Sequence, residues 1–317
     1  MVQKVNAFLK ANEWMKGEMK MRSFTSTSVM GFNQSILPMR MYHKAKKLGA
    51  WDPKEIDLTQ DKKDWQTFSE SERLVALRLI SLFAAGEESV TKDLLPLIQV
   101  MADEGRLEEE MYLTTFLLEE SKHVEMMRRF LDEVIGITED VSVHHKEHYK
   151  KIFYEYLPNA MARLKHDPSP AAQAEASVTY NMIVEGVLAE TGYYAVHRTM
   201  EESGKMPGLV QAIGYLKRDE SRHIGYGTYL LSRLIGEYEN IWHVVNQRLS
   251  LLLPHAVGVV YEVLGDIKPY PFGIEPEEFT SYAQKQFDAR MTVLERARKK
   301  TVEELYHMEE QEIGLVY

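Results

Sequence analysis

Two glutamates each stand about one long helix upstream of a Glu-x-x-His tetrad: Glu87 lies 33 residues before Glu120/His123, and Glu185 lies 35 before Glu220/His223. In an α-helix, residues three apart share a face, so each tetrad aims a carboxylate and an imidazole at one point. Gly and Pro are sparse, 18 and 11 in 317 residues, and leave segments of roughly 25 to 30 residues between breaks, too long for strands. The order is helix-Glu, then helix-Glu-x-x-His, twice over. Two helices each giving one Glu and two each giving Glu-x-x-His is a ligand arrangement of four-helix bundles. The expected fold class is therefore all-α, a ferritin-like four-helix bundle core with additional helices. A third tetrad, Glu304/His307, has a Pro-containing loop at the corresponding step upstream and reads as part of a solvated tail.

Helix boundaries follow from caps and breakers. Ser69 and Glu72 form a capping box before a helix running toward Met101, with Pro96 expected to kink it. The next helix runs to about Val134 and stops before Gly136, and a third spans roughly His144 to Lys165. Ser169-Pro170 starts a fourth that reaches about Glu202. A fifth runs from Pro207 to about Ile235, and a sixth from Asn240 to Leu264. After the loop Lys268 to Pro276 comes a seventh. The division expected is an unplaced N-terminal extension over 1–36, one dinuclear metal-carboxylate domain over 37–300, and a tail over 301–317.

Four glutamates converging in a core cannot all stay ionised without compensating charge. Two divalent cations supply it, since four carboxylates against two M(II) ions sum to zero. With no cysteine in the chain, thiolate zinc sites, Cys-ligated clusters and disulfides are excluded, and carboxylate-plus-imidazole coordination suits iron and manganese. The formal charge of −10 argues against a broad basic face for nucleic acid. Charges run through the apolar residues of the N-terminus, which lacks the h-region of a signal peptide. The most apolar stretch, Leu249 to Tyr261, is shorter than the roughly 20 residues of a membrane span. A cytoplasmic protein is expected.

Apolar flanks support burial of the tetrads: Phe83 and Ala84 before Glu87, Phe116 and Met127 around the first tetrad, Leu216 and Leu230 around the second. Glu119 and Asp219, just ahead of the ligand glutamates, either accept from a histidine ring nitrogen across the bundle or face solvent. Glu88 and Glu190 read as displaced from the ligand direction. His144, His145 and His148 read as a solvated face. Tyr193 and Tyr194 either reach the site or pack.

Five segments match something known. Trp51-Asp52-Pro53, AGEESVTKDLLP from Ala85, EESKHVE from Glu119, VTYNMIVEG from Val178 and DESRH from Asp219 together resemble the ribonucleotide-reductase-small-subunit-like ligand-binding oxidases, over roughly residues 37 to 290. The resemblance implies metal ligands at Glu87, Glu120, His123, Glu185, Glu220 and His223. It implies manganese at the Glu87, Glu120, His123 side and iron at the other, with a di-iron pair as the alternative. It implies a long-chain fatty acid bridging the metals, reaction with dioxygen, an ether bond joining Val90 to Tyr180, and a homodimer. Val90 lies one turn from Glu87 on the same face; Tyr180 precedes Glu185 by about one and a half turns, so a local helix distortion such as a π-bulge is expected there. Trp51 matches a tryptophan through which electrons reach the metals in reductase small subunits, or serves as a core residue.

The expected activity is a two-electron oxidation of an unidentified hydrophobic substrate, with an unidentified electron donor. Three alternatives stay open. A true reductase small subunit usually carries a radical tyrosine four residues after the first ligand histidine, where this chain has Met127. A soluble desaturase or hydroxylase shares the ligand pattern. A non-catalytic metal- or lipid-binding protein would hold its ligand without turnover.

Overall fold

The computed structural model describes residues 23–309 and 312, apart from 30, 138 and 266. Expectations for residues 1–22 and for the tail residues 310, 311 and 313–317 lie outside the described residues. Residues Met1–Asn33 and Gln34–Tyr317 form two compact units. In the first, the chain turns over Thr25 to Ser28, where the Ser28 N–H donates to the Thr25 carbonyl at 3.1 Å.

The second unit is built from helices, and no strand occurs among the described residues. Helix α1 (Leu37–Leu48) and the short α2 (Thr59–Thr67) lead to α3 (Glu70–Asp93). Its start is the reciprocal capping box expected from sequence: the Glu72 N–H donates to Ser69 Oγ at 3.3 Å, and the Ser69 N–H to Glu72 Oε2 at 2.7 Å. Pro96 interrupts the helix rather than bending it. It has no N–H to give and its ring clashes with the preceding turn, so α3 ends at Asp93 and α4 (Leu95–Asp103) restarts with Pro96 in its first turn.

Helix α5 (Leu107–Phe130) widens into one π-turn, Leu131–Ile135, and stops at Gly136, whose φ of 69° is left-handed. Helix α6 joins Glu147–Lys150, Lys151–Tyr156 and Leu157–Arg163. Helix α7 joins Pro170–Ser177, Val178–Ala189, Glu190–Val196 and His197–Glu201. The stretch Val178–Ala189 is π-helical, and it holds both Tyr180 and Glu185. The distortion expected around Tyr180 is therefore present, and longer than one bulge.

Helix α8 spans Pro207–Glu237. Its first turn is tethered by the buried Asp61 of α2, which accepts from the Gly208 and Leu209 N–H groups at 2.9 and 2.7 Å, satisfying two of the donors a helix start leaves open. Then come α9 (Ile241–Leu264), α10 (Pro276–Ala297) and the short α11 (Val302–Tyr306). The last is more than a solvated tail. Thr301 and Glu304 cap it reciprocally, and Leu305 and Met308 are buried, while Glu304 and His307 themselves are exposed.

Helices α3, α5, α7 and α8 form the bundle. Helix α1 packs on α5 and α8, α9 on α7, and α10 on α7, α8 and α9. Between them runs a continuous apolar core that includes Phe116, Ile152, Met161, Val178, Leu230 and Leu252. Among the described residues no helix is long and apolar enough to cross a membrane.

Candidate metal centre

Each bundle helix delivers its acidic residue to one place. Glu87 comes from α3, Glu120 and His123 from α5, Glu185 from α7, Glu220 and His223 from α8, and all six are at most 5% exposed. His123 Nδ1 lies 3.4 Å from Glu87 Oε2, 3.5 Å from Glu120 Oε2 and 3.4 Å from Glu220 Oε1. His223 Nδ1 lies 3.2 Å from Glu120 Oε1, 3.6 Å from Glu185 Oε1 and 3.5 Å from Glu220 Oε2. Two donor groups result, Glu87/Glu120/His123/Glu220 and Glu120/Glu185/Glu220/His223. The three-and-three division implied by resemblance is thus refined, because Glu120 and Glu220 turn one oxygen toward each histidine and belong to both groups.

The donor set fits two cations. Ligands at about 2.1 Å from a common ion stand roughly 3.0 to 3.4 Å apart at tetrahedral to octahedral angles, close to the separations here. Glu120 Oε2, Glu185 Oε1, Glu220 Oε2 and both histidine Nδ1 atoms are buried without a hydrogen-bond partner, a cost that a shared cation removes. Ionisation tells the same story. Burial, reinforced by Glu120 and Glu220, pushes Glu87 up to about 8, and burial beside Glu220 raises Glu185 well above the carboxylate range. Burial works against Glu120 too, but His123 and His223 beside it win and pull it down to about 2. Burial would likewise discharge the two histidines, yet the carboxylates around each hold them protonated well above 6.5. In the absence of metal, protons take the place of positive charge.

Glu119 and Asp219 face across the bundle, the first of the two arrangements the sequence leaves open. His223 Nε2 lies 2.9 Å from Glu119 Oε2, and His123 Nε2 3.5 Å from Asp219 Oδ2. Glu119 therefore fixes the ring of His223, while Asp219 stands beside His123 Nε2 as a charge neighbour without a hydrogen bond. Arg222 ties the two acids together, donating to Glu119 Oε1 and Asp219 Oδ1 at 2.5 Å each. The Trp51 indole N–H donates to Asp219 Oδ2 at 2.7 Å, and its ring stacks on Tyr215. Asn181 donates to Glu185 Oε2 at 2.8 Å; its place four residues before Glu185 is the available sequence signal. Arg222 carries none, since an arginine beside a helical histidine is ordinarily a surface residue. Helices α7 and α8 approach closely at Gly227, where a Cβ would sit 2.1 Å from Asn181 Cβ.

Val90 and Tyr180 are brought together: Tyr180 Oη lies 3.1 Å from the Val90 carbonyl oxygen and 3.4 Å from Glu120 Oε1. Burial among these carboxylates keeps the phenol protonated, well above its usual value of 10. Tyr193 is buried, stacked on Phe83, with its hydroxyl unpartnered, whereas Tyr194 reaches outward to Glu278. Glu88 is exposed; Glu190 is buried, away from the ligand cluster, and accepts from Tyr282 at 3.3 Å. Of the three histidines read as a solvated face, His145 is instead buried, 2.8 Å from Tyr154 Oη and 3.2 Å from the Ser81 carbonyl, and His148 Nδ1 meets His255 Nδ1 at 3.0 Å.

Beside the cluster opens a cavity of about 120 Å³. Its wall is almost entirely apolar, with Leu79, Phe153, Leu188, Val259 and Phe279 among its residues, and Glu87, Glu185 and Glu220 also border it.

The family described as ribonucleotide reductase, small chain, matches residues 38–307. Among solved structures, an R2-like ligand-binding oxidase with an aerobically reconstituted Mn/Fe cofactor is 39% identical, with a TM-score of 0.81, covering 86% of this chain and 97% of that one. Two substituted variants of an R2-like ligand-binding oxidase, one reconstituted aerobically and one anaerobically with Mn/Fe, are each 40% identical, with TM-scores of 0.82 and 0.81, over 86% of this chain and 98% of theirs.

Proposed function

Because this chain belongs to the ribonucleotide reductase small chain family, and is 39% identical over 86% of its length to an R2-like ligand-binding oxidase, we propose that it is a manganese/iron oxidase. In this reading it activates dioxygen beside a bound long-chain fatty acid and links Val90 to Tyr180 through an ether bond. The observation that carries it is the junction of two buried donor groups with the inner end of an apolar cavity. The ligands are Glu87, Glu120, His123, Glu185, Glu220 and His223, with Glu120 and Glu220 shared. When bound, the metal pair supplies two-electron oxidising power from dioxygen.

The residues do the rest. Glu119 orients the His223 imidazole, and Glu119 and Asp219 raise the basicity of the two histidines as ligands. Asn181 holds one oxygen of Glu185, leaving the other for metal. The cavity's apolar wall suits an alkyl chain, and an alkyl carboxylate beside Glu87, Glu185 and Glu220 would add an anion to the donor set. Tyr180 stands next to both Val90 and Glu120 and keeps its phenolic hydrogen. In the cross-link, one hydrogen leaves the Val90 side chain and one the Tyr180 hydroxyl. The carbon and the oxygen join, and two electrons and two protons pass to dioxygen. Turnover afterwards is a two-electron oxidation of a hydrophobic substrate, with electrons from an external donor. Localisation in the cytoplasm and assembly as a homodimer belong to the same proposal.

Peptide mass spectrometry on denatured protein, loaded with manganese and iron and compared before and after air, tests this. The expected result is a joined Val90–Tyr180 peptide, lighter by two hydrogens, formed only with oxygen. Separate peptides in a fully metallated, air-exposed sample would overturn the cross-link and favour a radical-subunit or lipid-binding role.

A further inference from the structure

On the His223 side of the centre, aromatic rings stand in line. The Phe116 ring lies over the His223 imidazole, centroids 3.6 Å apart and planes 7° from parallel. Tyr112 follows at 6.3 Å, Tyr226 at a further 5.2 Å, Tyr229 at 6.2 Å and Tyr306 at 6.4 Å. All but Tyr306 are fully buried. Tyr306, on α11, is half-buried, so the line begins at a candidate ligand and ends at the surface.

Packing alone does not require phenols here. Phenylalanine fills nearly the same volume, and the Tyr229 hydroxyl is buried without a partner, a desolvation cost a phenyl ring avoids. Tyr226 donates to Glu109 Oε2 at 2.9 Å. That carboxylate is itself buried and held by Arg233 and Arg106 at 3.5 and 3.6 Å, an expensive group to keep inside a protein. Tyr306 donates to Glu237 at 3.0 Å and accepts from Arg106 at 2.8 Å. A phenol that loses an electron becomes a strong acid, and a hydrogen-bonded carboxylate is the group that takes its proton. Both the middle and the outer end of the line have one.

We propose that this line, Tyr112, Tyr226, Tyr229 and Tyr306 with Phe116 as the bridge to His223, carries oxidising equivalents between the metal centre and the surface. The inference rests on the oxidase reading, which names dioxygen at the metal pair as the oxidant. One electron leaves Tyr226 inward by way of Tyr112 and Phe116, and the phenolic proton moves to Glu109. An electron from Tyr306 then refills Tyr226 through Tyr229, Glu109 returns the proton, and Tyr306 gives its own proton to Glu237. A one-electron reductant in solution restores Tyr306. The path is separate from Trp51, which bonds to Asp219 on the His123 side.

The test exposes manganese/iron-loaded protein to oxygen without reductant. It follows oxygen uptake, tyrosyl radicals by electron paramagnetic resonance, and oxidised tyrosines by peptide mass spectrometry. Wild type is expected to accumulate oxidised Tyr306. Tyr226→Phe, which removes the phenol that is oxidised, and Tyr229→Leu, which removes the ring between Tyr226 and Tyr306, are each expected to cut that product at least tenfold and shift oxidation to residues nearer the centre, at unchanged metal content. Tyr229→Leu breaks no hydrogen bond, so it carries the test if Tyr226→Phe folds poorly. Oxygen uptake with Tyr306 unmodified, or equally modified in all three proteins, overturns the path and leaves the oxidase reading standing. Absence of oxygen uptake overturns that reading, and the path with it.

Discussion

Gly227→Ala and Gly214→Ala place the same methyl group on the same helix with different expected results. Both residues lie inside α8, and both changes gain about 1 kcal/mol of helix propensity. At Gly214 a Cβ meets nothing within 4 Å, so that gain is the whole effect. At Gly227 the new carbon would stand 2.1 Å from Asn181 Cβ and 2.4 Å from its Cγ. Contact between carbons needs about 3.5 to 4.0 Å, so α7 and α8 must part by roughly 1.5 Å. Overpacking of this kind costs about 1 to 3 kcal/mol or more, which cancels or outweighs the gain, and the two variants are expected to differ by that cost, at least about 1 kcal/mol. The displaced residue, Asn181, holds Glu185 at 2.8 Å, so Gly227→Ala should also lose metal from the His223 side while Gly214→Ala retains it. Urea unfolding and metal analysis on the same preparations decide it. Equal stability and equal metal content in the two variants would refute the close approach and the positioning role of Asn181 together.

Asp219→Asn and Glu119→Gln should each lower metal affinity about 10- to 100-fold, read by competition with a chelator. Metal-free protein should lose stability as pH rises. Glu87, at about 8 against an ordinary 4.5, and the two histidines, held well above 6.5, have folded values above unfolded ones. Their contribution is complete at low pH and disappears as pH climbs through the folded values, with Glu120 acting oppositely only in acid. Manganese(II) binding should release those protons, so affinity rises over the same range; thermal melts with and without metal and calorimetry in two buffers measure both trends. Ala195→Trp, filling the cavity wall, should abolish co-purification of fatty acid, read by lipid extraction and mass spectrometry, at unchanged metal content.

The bundle was legible because its decisive signal is local. Glu-x-x-His acts within one turn, and the partner glutamates recur one helix upstream. Caps and breakers placed the long helices for the same reason, Ser69/Glu72 and Ser169-Pro170 being clear instances. What depends on four helices meeting was not legible: that Glu120 and Glu220 each face both histidines, or that Arg222 lies between Glu119 and Asp219. The π-helical course of Val178–Ala189 has no composition cue beyond the awkward spacing of Tyr180 from Glu185. Burial of His145 is settled by the Ser81 carbonyl of another helix. Helix α11 did have a cue, the Thr301-x-x-Glu304 capping pattern, outweighed by its acidic surroundings.

The depth of the centre has a kinetic consequence. Six ligands are at most 5% exposed and stand beside a cavity with an almost entirely apolar wall, so an ion entering there must shed its water before it meets a carboxylate. Exchange with solvent is then governed by how often the helices breathe rather than by how tightly the ion is held. A chelator mixed with loaded protein would report a rate of local opening, independent of chelator strength. Two such proteins with the same affinity would hold their metals for very different times if one opens more readily along α7 and α8.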